Sequence, residues 1–103
     1  MLQQLPNDVV KSGQSPLFTV ENVPDAILNW HTTKANVWGE IVLIKGKATY
    51  EILTDPMEQI ELTPEIAGII APAQPHRLRP ESGTEFQIIF YKKAEDLKTL
   101  SGF

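Results

Sequence analysis

The sequence predicts an all-β domain, built as an antiparallel sandwich or a small barrel, with one or two short helices. The chain has 103 residues, which is the size of a single domain. Its eight prolines and six glycines are spread over the whole length and divide it into short segments, as is typical of β proteins. Several of these segments alternate apolar and polar residues, which is the pattern of a strand that buries one face.

The clearest strand predictions lie in the middle and the last third of the chain. Residues 37–44 form a nearly continuous apolar run, so we expect a central strand that is buried on both faces. Residues 47–53 alternate instead, with Ala48, Tyr50 and Ile52 on one face. The remaining strands of this part are predicted at residues 58–62, 68–70, 76–79 and 85–91.

Helix signals are confined to two short segments. Pro24 suits the first position of a helix, and one or two turns are predicted after it. Residues 94–100 carry apolar side chains at helical spacing and predict a short C-terminal helix. Before these, residues 9–10 and 17–19 are predicted as edge strands.

Composition and charge exclude several classes of function. Nine basic and thirteen acidic residues give a net charge of −4, which is unsuitable for nucleic-acid binding. The chain has no cysteine, so disulfides, thiolate metal sites and thiol catalysis are excluded. The first ten residues have no signal-peptide pattern, and the longest apolar run is far shorter than the ~20 residues of a membrane span. We therefore expect a cytoplasmic protein without nucleic-acid or membrane partners.

The two histidines, His31 and His76, are the first candidates for a site. His76 begins a short predicted strand and shares a face with Leu78, whereas Arg77 and Arg79 lie on the opposite face. We therefore expect His76 to point into the interior. Two interpretations remain open, a metal ligand for zinc, iron, nickel or copper, or a buried neutral histidine that is hydrogen-bonded to the backbone.

Glu40 and Gln87 are the next candidates. Glu40 is the only carboxylate in the apolar run 37–44, where an acid is costly unless it is paired or metal-bound. It is either a third metal ligand or a residue of an edge strand that faces water. Gln87 alternates with Phe86 and Ile88, so it faces away from their apolar cluster, as a ligand or as a surface amide.

The sequence has two tryptophans and lacks the common catalytic motifs. Trp30 and Trp38 flank a short polar loop, where they either line a pocket or belong to the core or a dimer interface. The sequence contains no phosphate-binding glycine loop, no nucleophile elbow and no His-Glu-x-x-His motif. In a barrel or sandwich, a ligand site is expected at the mouth between the strands.

The motifs resemble those of the tellurite-resistance protein B amino-terminal-domain-like family, which are small cupin-like proteins. The resemblance covers about residues 6–91 and includes Phe86-Gln87, and its most specific parts are His31-Thr32-Thr33-Lys34, Val37-Trp38-Gly39 and Pro75-His76. It implies one cupin-like domain over residues 1–103, with a tail at 92–103, a jelly-roll barrel, a homodimer and a metal centre.

The resemblance also assigns positions in the cupin motifs. His31 matches the first-motif histidine and His76 the second-motif histidine. Thr33 stands where a further histidine is usual, and Glu40 lies beyond the usual glutamate. In some proteins this family's domain is attached to a methyltransferase. We expect no methyl transfer by this chain, because it has no glycine-rich cofactor loop.

The leading functional prediction is a cytoplasmic cupin-like binding protein. It would hold a divalent metal (zinc, iron or nickel) or a small anion at His31 and His76, with Glu40 and Gln87 as further ligands. The resemblance links this function to a tellurite, oxyanion or nitrosative stress response. The alternatives are a metal-dependent cupin enzyme, of dioxygenase or isomerase type, and an interaction module without a metal. The expected partners are a small molecule or anion in the barrel and a second copy of the chain.

Overall fold

Eight strands and one short helix make up the regular structure of the computed structural model, which describes residues 4–96. In chain order these elements are β1 (Val9–Gln14), β2 (Phe18–Thr19), α1 (Asp25–Leu28), β3 (Trp38–Lys45), β4 (Ala48–Ile52), β5 (Glu58–Leu62), β6 (Gly68–Ile70), β7 (His76–Pro80) and β8 (Glu85–Lys93). Residues 94–96 are helical, as the sequence predicts, and the rest of the predicted C-terminal helix lies outside the described residues.

The strands form two antiparallel sheets. The first sheet has the order β1-β8-β3-β6, and β2 also pairs with β8; the second has the order β5-β4-β7. β1 and β2 lie end to end along one edge of β8, because β1 pairs with residues 89–93 and β2 with residues 85–86. The prediction of a small, mostly β single domain is confirmed. The predicted closed barrel is not confirmed, because in the described part of the chain the strands of one sheet do not pair with the strands of the other.

The chain crosses from the first sheet to the second between β3 and β4, at Gly46. Gly46 has a φ of +91°, and a Cβ atom there would lie 2.5 Å from Thr84 Oγ1. The Thr84 hydroxyl donates to the Lys47 carbonyl at 2.7 Å and accepts from the Lys47 N–H at 3.2 Å. This crossover explains why β3 and β4, although adjacent in the chain, belong to different sheets.

The core lies between the sheets and is built from the inward positions of both. Its buried residues are Ile41, Leu43, Ala48, Tyr50, Ile52, Leu62, Ile70, Leu78, Phe86 and Ile88. β3 is a central strand, yet its alternate residues Trp38, Glu40 and Val42 are only half-buried. The prediction that this strand is buried on both faces is therefore wrong. Along β3 the pleat alternates strictly, so only every second side chain reaches the core.

The helix content bears on the membrane prediction. Among residues 4–96, none of the helical segments has the length and apolar character that crossing a membrane requires. The cytoplasmic location stays a prediction.

Candidate functional site

A pocket of about 430 Å³ lies between the inner face of the first sheet and the start of β7. We call it the histidine pocket. Half of its lining is apolar and comes from strands of the first sheet, from α1 and from the residue before β3: Phe18, Ile27, Val37, Ile70, Ile88 and Phe90. The other half is polar: Ser15, His31, Thr32, Thr33, Lys34 and His76. Its volume falls in the range of small-molecule sites, about 300–1,000 Å³.

The apolar walls follow from the strand alternation and from the short helix. Ile88 and Phe90 are two residues apart on β8, so both face inward. Phe18 on β2 pairs with Phe86, and their ring centroids lie 5.6 Å apart. Ile27 on α1 packs against the core from the other side. Rigid elements therefore hold the apolar part of the pocket.

His31 and His76 meet at the polar end of the pocket. The N–H of His31 donates to the carbonyl of His76 at 3.0 Å, and the reverse bond measures 2.9 Å. This bridge places the two imidazole centroids 4.2 Å apart, with a tilt of 58° between the rings. His76 is 2% exposed and His31 is half-buried. The structure thus brings together the two histidines that the sequence singled out.

Each imidazole is fixed by a hydrogen bond to the backbone. Nδ1 of His31 lies 2.8 Å from the Asn29 carbonyl oxygen, and Nδ1 of His76 lies 2.8 Å from that of Gln74. A carbonyl oxygen only accepts hydrogen bonds, so both Nδ1 atoms carry a hydrogen. In a neutral imidazole, Nε2 is then an acceptor. In its neutral form each ring therefore has an Nε2 lone pair.

The surroundings of His76 keep it neutral. Burial is the main cause that lowers the pKa of His76 below its ordinary value of 6.5. The hydrogen bond to the Gln74 carbonyl acts in the opposite direction, and the neighbouring His31 ring lowers the pKa further. Tyr50 packs its ring edge against His76, with centroids 5.9 Å apart, and its hydroxyl donates to the Ile69 carbonyl. The Tyr50 hydroxyl proton is therefore already engaged.

Glu40 and Gln87 do not line the histidine pocket. Both lie on the outer face of the first sheet, because their neighbours on β3 and β8 occupy the inward positions. Glu40 accepts a hydrogen bond from the Tyr91 hydroxyl at 2.9 Å, and Gln87 donates to the Ser15 carbonyl at 3.5 Å. The expectation that Gln87 faces away from the apolar cluster agrees with this placement.

The two tryptophans are also outside the pocket. Trp38 pairs with Tyr91 on the outer face of the first sheet. Trp30 lies on the outer face of the second sheet, where the Arg77 guanidinium is 4.3 Å from its ring centroid. The His31–His76 bridge explains this position. Trp30 and Arg77 each neighbour a bridged histidine and so share the opposite face.

Sequence reasoning missed a buried carboxylate beneath Trp30. Glu51 is 2% exposed and accepts three hydrogen bonds, from Gln59 at 2.6 Å, Arg77 at 2.5 Å and Arg79 at 3.1 Å. We call these residues, with Trp30, the arginine cluster. The hydrogen bond from Gln59 is the main cause that lowers the pKa of Glu51, and the two arginines add to it against the effect of burial. The available signal was the alternation that puts Glu51, Arg77 and Arg79 on outward positions of paired strands.

Comparison with known proteins identifies a family. The model of the TehB-like domain matches residues 13–88, more than half of the chain. Two curated relatives are named "Probable S-adenosyl-L-methionine-dependent methyltransferase TehB". The one from Haemophilus influenzae strain ATCC 51907 / DSM 11121 / KW20 / Rd is 32% identical over 95 residues, and that of strain 10810 is 30% identical. Each match covers 87% of this chain and 33% of the relative, so the chain spans about a third of their length.

Two crystal structures have a similar fold. That of TehB from Haemophilus influenzae has a TM-score of 0.79 and 28% identity, and the match covers 90% of this chain and 34% of that one. A protein from E. coli (strain K12) has a TM-score of 0.81 and 18% identity, with coverage of 89% and 98%. At that identity the second likeness shows the fold alone.

These findings correct the leading functional prediction. A metal-binding or anion-binding cupin is wrong, because the relatives are named as S-adenosylmethionine-dependent methyltransferases. The predicted zinc, iron or nickel cofactor is wrong as well. Residues 4–96 contain no group of three or more His, Cys, Asp and Glu side chains that could hold a metal. The physical reason is that Glu40 and Gln87 are separated from the two histidines by the first sheet.

The alternatives are corrected by the same relatives. The metal-dependent dioxygenase or isomerase and the metal-free interaction module both disagree with the names of the relatives, which are those of methyltransferases. The connection with the tellurite-resistance family is confirmed by the TehB-like match. A small-molecule ligand, a homodimer and the lack of nucleic-acid or membrane partners stay predictions.

Proposed function

The chain belongs to the TehB-like family, and on that basis we propose that its domain binds the small organic molecule that a methyltransferase of this family methylates. The observation that carries the proposal is the histidine pocket, which combines apolar walls with two backbone-fixed imidazoles. Sites for small molecules have this composition, with an apolar lining and few well-placed polar groups. The names of the relatives supply the reaction that the bound molecule would serve.

S-adenosylmethionine itself does not fit the histidine pocket. The cofactor carries a positively charged sulfonium and an ammonium group, and its ribose hydroxyls are commonly bound by an Asp or Glu side chain in nucleotide sites. No carboxylate is among the residues that line the pocket, and Lys34 adds a positive charge at its rim. The proposal therefore assigns to residues 4–96 the binding of the methyl acceptor and not of the cofactor.

We also infer a jelly-roll topology for the domain, with the pocket beside the position where one strand of the second sheet is missing. The orders β1-β8-β3-β6 and β5-β4-β7 are those of two facing four-stranded sheets from which one strand is missing beside β7. The single bridge between His31 and His76 stands at that position. Where a full strand would cover the space, the chain makes one pair of hydrogen bonds, and this supports a ligand entrance there.

Ligand binding is tested with p-cresol, whose ring suits the apolar walls, in saturation-transfer NMR. The variant Val37→Trp places an indole in the pocket, whereas Val42→Trp places one on the outer face of the same strand region. We expect p-cresol signals with the unmodified chain and with Val42→Trp, and none with Val37→Trp. Calorimetric titration with S-adenosylmethionine should show no binding. Equal p-cresol signals from both variants would refute the pocket as the binding site.

The link to methyl transfer is tested in a chimera. This chain replaces the matching residues of the Haemophilus influenzae relative, and release of S-adenosylhomocysteine is measured with the acceptor that the unmodified relative uses. We expect the chimera to be active, and Val37→Trp to raise the KM for the acceptor while the KM for S-adenosylmethionine stays the same. A change in the cofactor KM instead would contradict the assignment of the pocket to the acceptor.

A further inference from the structure

Four of the six polar side chains that line the histidine pocket donate a hydrogen to the protein backbone. His31 and His76 donate from Nδ1 to carbonyl oxygens, each at 2.8 Å. The Thr33 hydroxyl donates to the Val37 carbonyl at 2.9 Å. The Ser15 hydroxyl donates to the next carbonyl in the chain, also at 2.8 Å. Four polar groups of the lining have therefore used the hydrogen that they would otherwise offer to a ligand.

Hydrogen-bond acceptors are what the two imidazoles still present, whereas the Ser15 hydroxyl already accepts from the Ile88 N–H at 2.9 Å. Every buried side-chain nitrogen or oxygen among the described residues has a hydrogen-bond partner. The His76 ring makes its hydrogen bond through Nδ1, and Nε2 has no partner among residues 4–96. Since no buried side-chain nitrogen or oxygen of these residues is without a partner, Nε2 is not fully buried, and it is accessible from the pocket that His76 lines. His31 lies against it, with ring centroids 4.2 Å apart. The remaining donors, on Thr32 and Lys34, belong to exposed residues at the rim.

We propose that the histidine pocket selects molecules that combine an apolar body with a hydrogen-bond-donating O–H, N–H or S–H group. The inference rests on the proposed function, because it concerns the same pocket and names the class of its ligand. A methyl group in place of the donor hydrogen removes the one group that pairs with the imidazoles. The pocket therefore retains the unmethylated compound and releases the methylated one.

The discrimination has a physical basis in the fixed orientation of the two rings. An acceptor that is buried by a ligand without being paired loses its hydrogen bond to water and gains nothing in return. The backbone carbonyls hold both Nδ1 atoms, so neither ring can turn to offer a donor without breaking a bond of 2.8 Å. We therefore expect a ligand without a donor to bind at least about tenfold more weakly.

The test compares p-cresol, 4-methylanisole and toluene, which share one apolar body. The first has a hydroxyl donor, the second has the methyl ether of that hydroxyl, and the third has neither. Dissociation constants are measured by NMR titration of the unmodified chain. We expect p-cresol to bind about tenfold or more tightly than the other two. His31→Phe removes one of the two acceptors and should reduce the preference for p-cresol over toluene.

A second variant and a control keep the test decisive. His76→Phe removes the other acceptor, and thermal unfolding of both variants shows whether the fold is kept. Thr49→Val removes a hydroxyl on the outer face of β4, away from the pocket lining, and we expect no change in the affinity order. If none of the three compounds binds, the proposed function fails. If all bind equally, or if 4-methylanisole binds most tightly, the pocket stands and the selection of donors is refuted. Unchanged p-cresol affinity in both histidine variants also refutes it.

Discussion

His76 and Arg77 are neighbours on β7, yet they belong to two polar regions with opposite properties. His76 points inward to the histidine pocket, and Arg77 points outward to the arginine cluster. In the arginine cluster, the Glu51 carboxylate receives three hydrogen bonds from side chains of the two neighbouring strands, β5 and β7. In the histidine pocket, the side chains have donated to the backbone and two acceptors stay open. A buried polar group that is fully paired supports the fold, whereas one with an open lone pair is available to a ligand.

This difference predicts different outcomes for substitutions on the two faces of one strand. Removing Glu51 breaks charge-assisted hydrogen bonds to a buried carboxylate, and removing one of its arginines leaves that carboxylate short of a partner. Removing a member of the open region costs less, because each imidazole gives up one neutral hydrogen bond to a backbone carbonyl and no ion pair.

Glu51→Gln should be the most destabilising of these changes. The substitution keeps the size of the side chain but removes the charge that holds Arg77 and Arg79 at the sheet surface. We expect the free energy of unfolding to fall by about 2–3 kcal/mol, measured by urea denaturation at pH 7.

The matched control is Glu61→Gln. Glu61 lies on the same face, but it is exposed and its Lys47 partner is 3.8 Å away, so we expect almost no change in stability. The p-cresol affinity of Glu51→Gln should equal that of the unmodified chain, measured without urea and at a low temperature at which the variant is folded. Equal stability losses in the two variants would show that the buried cluster has no special role.

The stabilisation by Glu51 should disappear in acid. Its pKa is lowered in the folded state from the ordinary value of 4.5, so its contribution is complete above about that pH. As the pH falls through the lowered folded value, the carboxylate takes up a proton and the contribution is lost. The difference in unfolding free energy between the unmodified chain and Glu51→Gln should therefore shrink as the pH is lowered from about 5 to about 2. A difference that stays constant over this range would contradict the charged pairing.

His76 should give a smaller pH dependence at a higher pH. Its pKa is lowered from 6.5 in the folded state, so below that pH the unfolded chain binds a proton that the folded chain does not. Stability is then lost as the pH falls, at a rate of at most about 1.4 kcal/mol per pH unit. We expect this slope in the stability difference between the unmodified chain and His76→Phe, measured between pH 7.5 and pH 5.5. The absence of any slope would mean that His76 is not kept neutral by burial.

The fold could be predicted from the sequence because most strands carry their own alternation. β5 and β6 have the predicted bounds, and the other core strands differ from prediction by one or two residues at their ends. The closure of the sheets could not be predicted. It depends on the stretch around His31, where one bridge stands in place of a strand, and a single pair of hydrogen bonds leaves no periodic pattern in a sequence.

The site was only partly predictable for a related reason. The inward position of His76 followed from its spacing to Leu78, and the meeting with His31 came from the topology rather than from any local signal. Glu40 shows the opposite case. Its place in an apolar run pointed to a buried ligand, but a central strand with one half-open face accommodates a carboxylate that is paired with Tyr91. Whether a side chain of the pocket still has a hydrogen to donate depends on which backbone carbonyls lie beside it. A sequence does not show which carbonyls these are.

The smallest expected effect belongs to Trp30, at the solvent side of the arginine cluster. Its ring is 4.3 Å from the Arg77 guanidinium, and the residue is 37% exposed, so the interaction is partly screened by water. A double-mutant cycle of Trp30→Leu and Arg77→Met should give a coupling energy of about 0.5–1 kcal/mol in urea denaturation. The cycle with Trp38→Leu in place of Trp30→Leu is the control, because Trp38 lies on the other sheet, and its coupling should be near zero. Equal couplings in the two cycles would show that the stacked arginine owes its position to Glu51 alone.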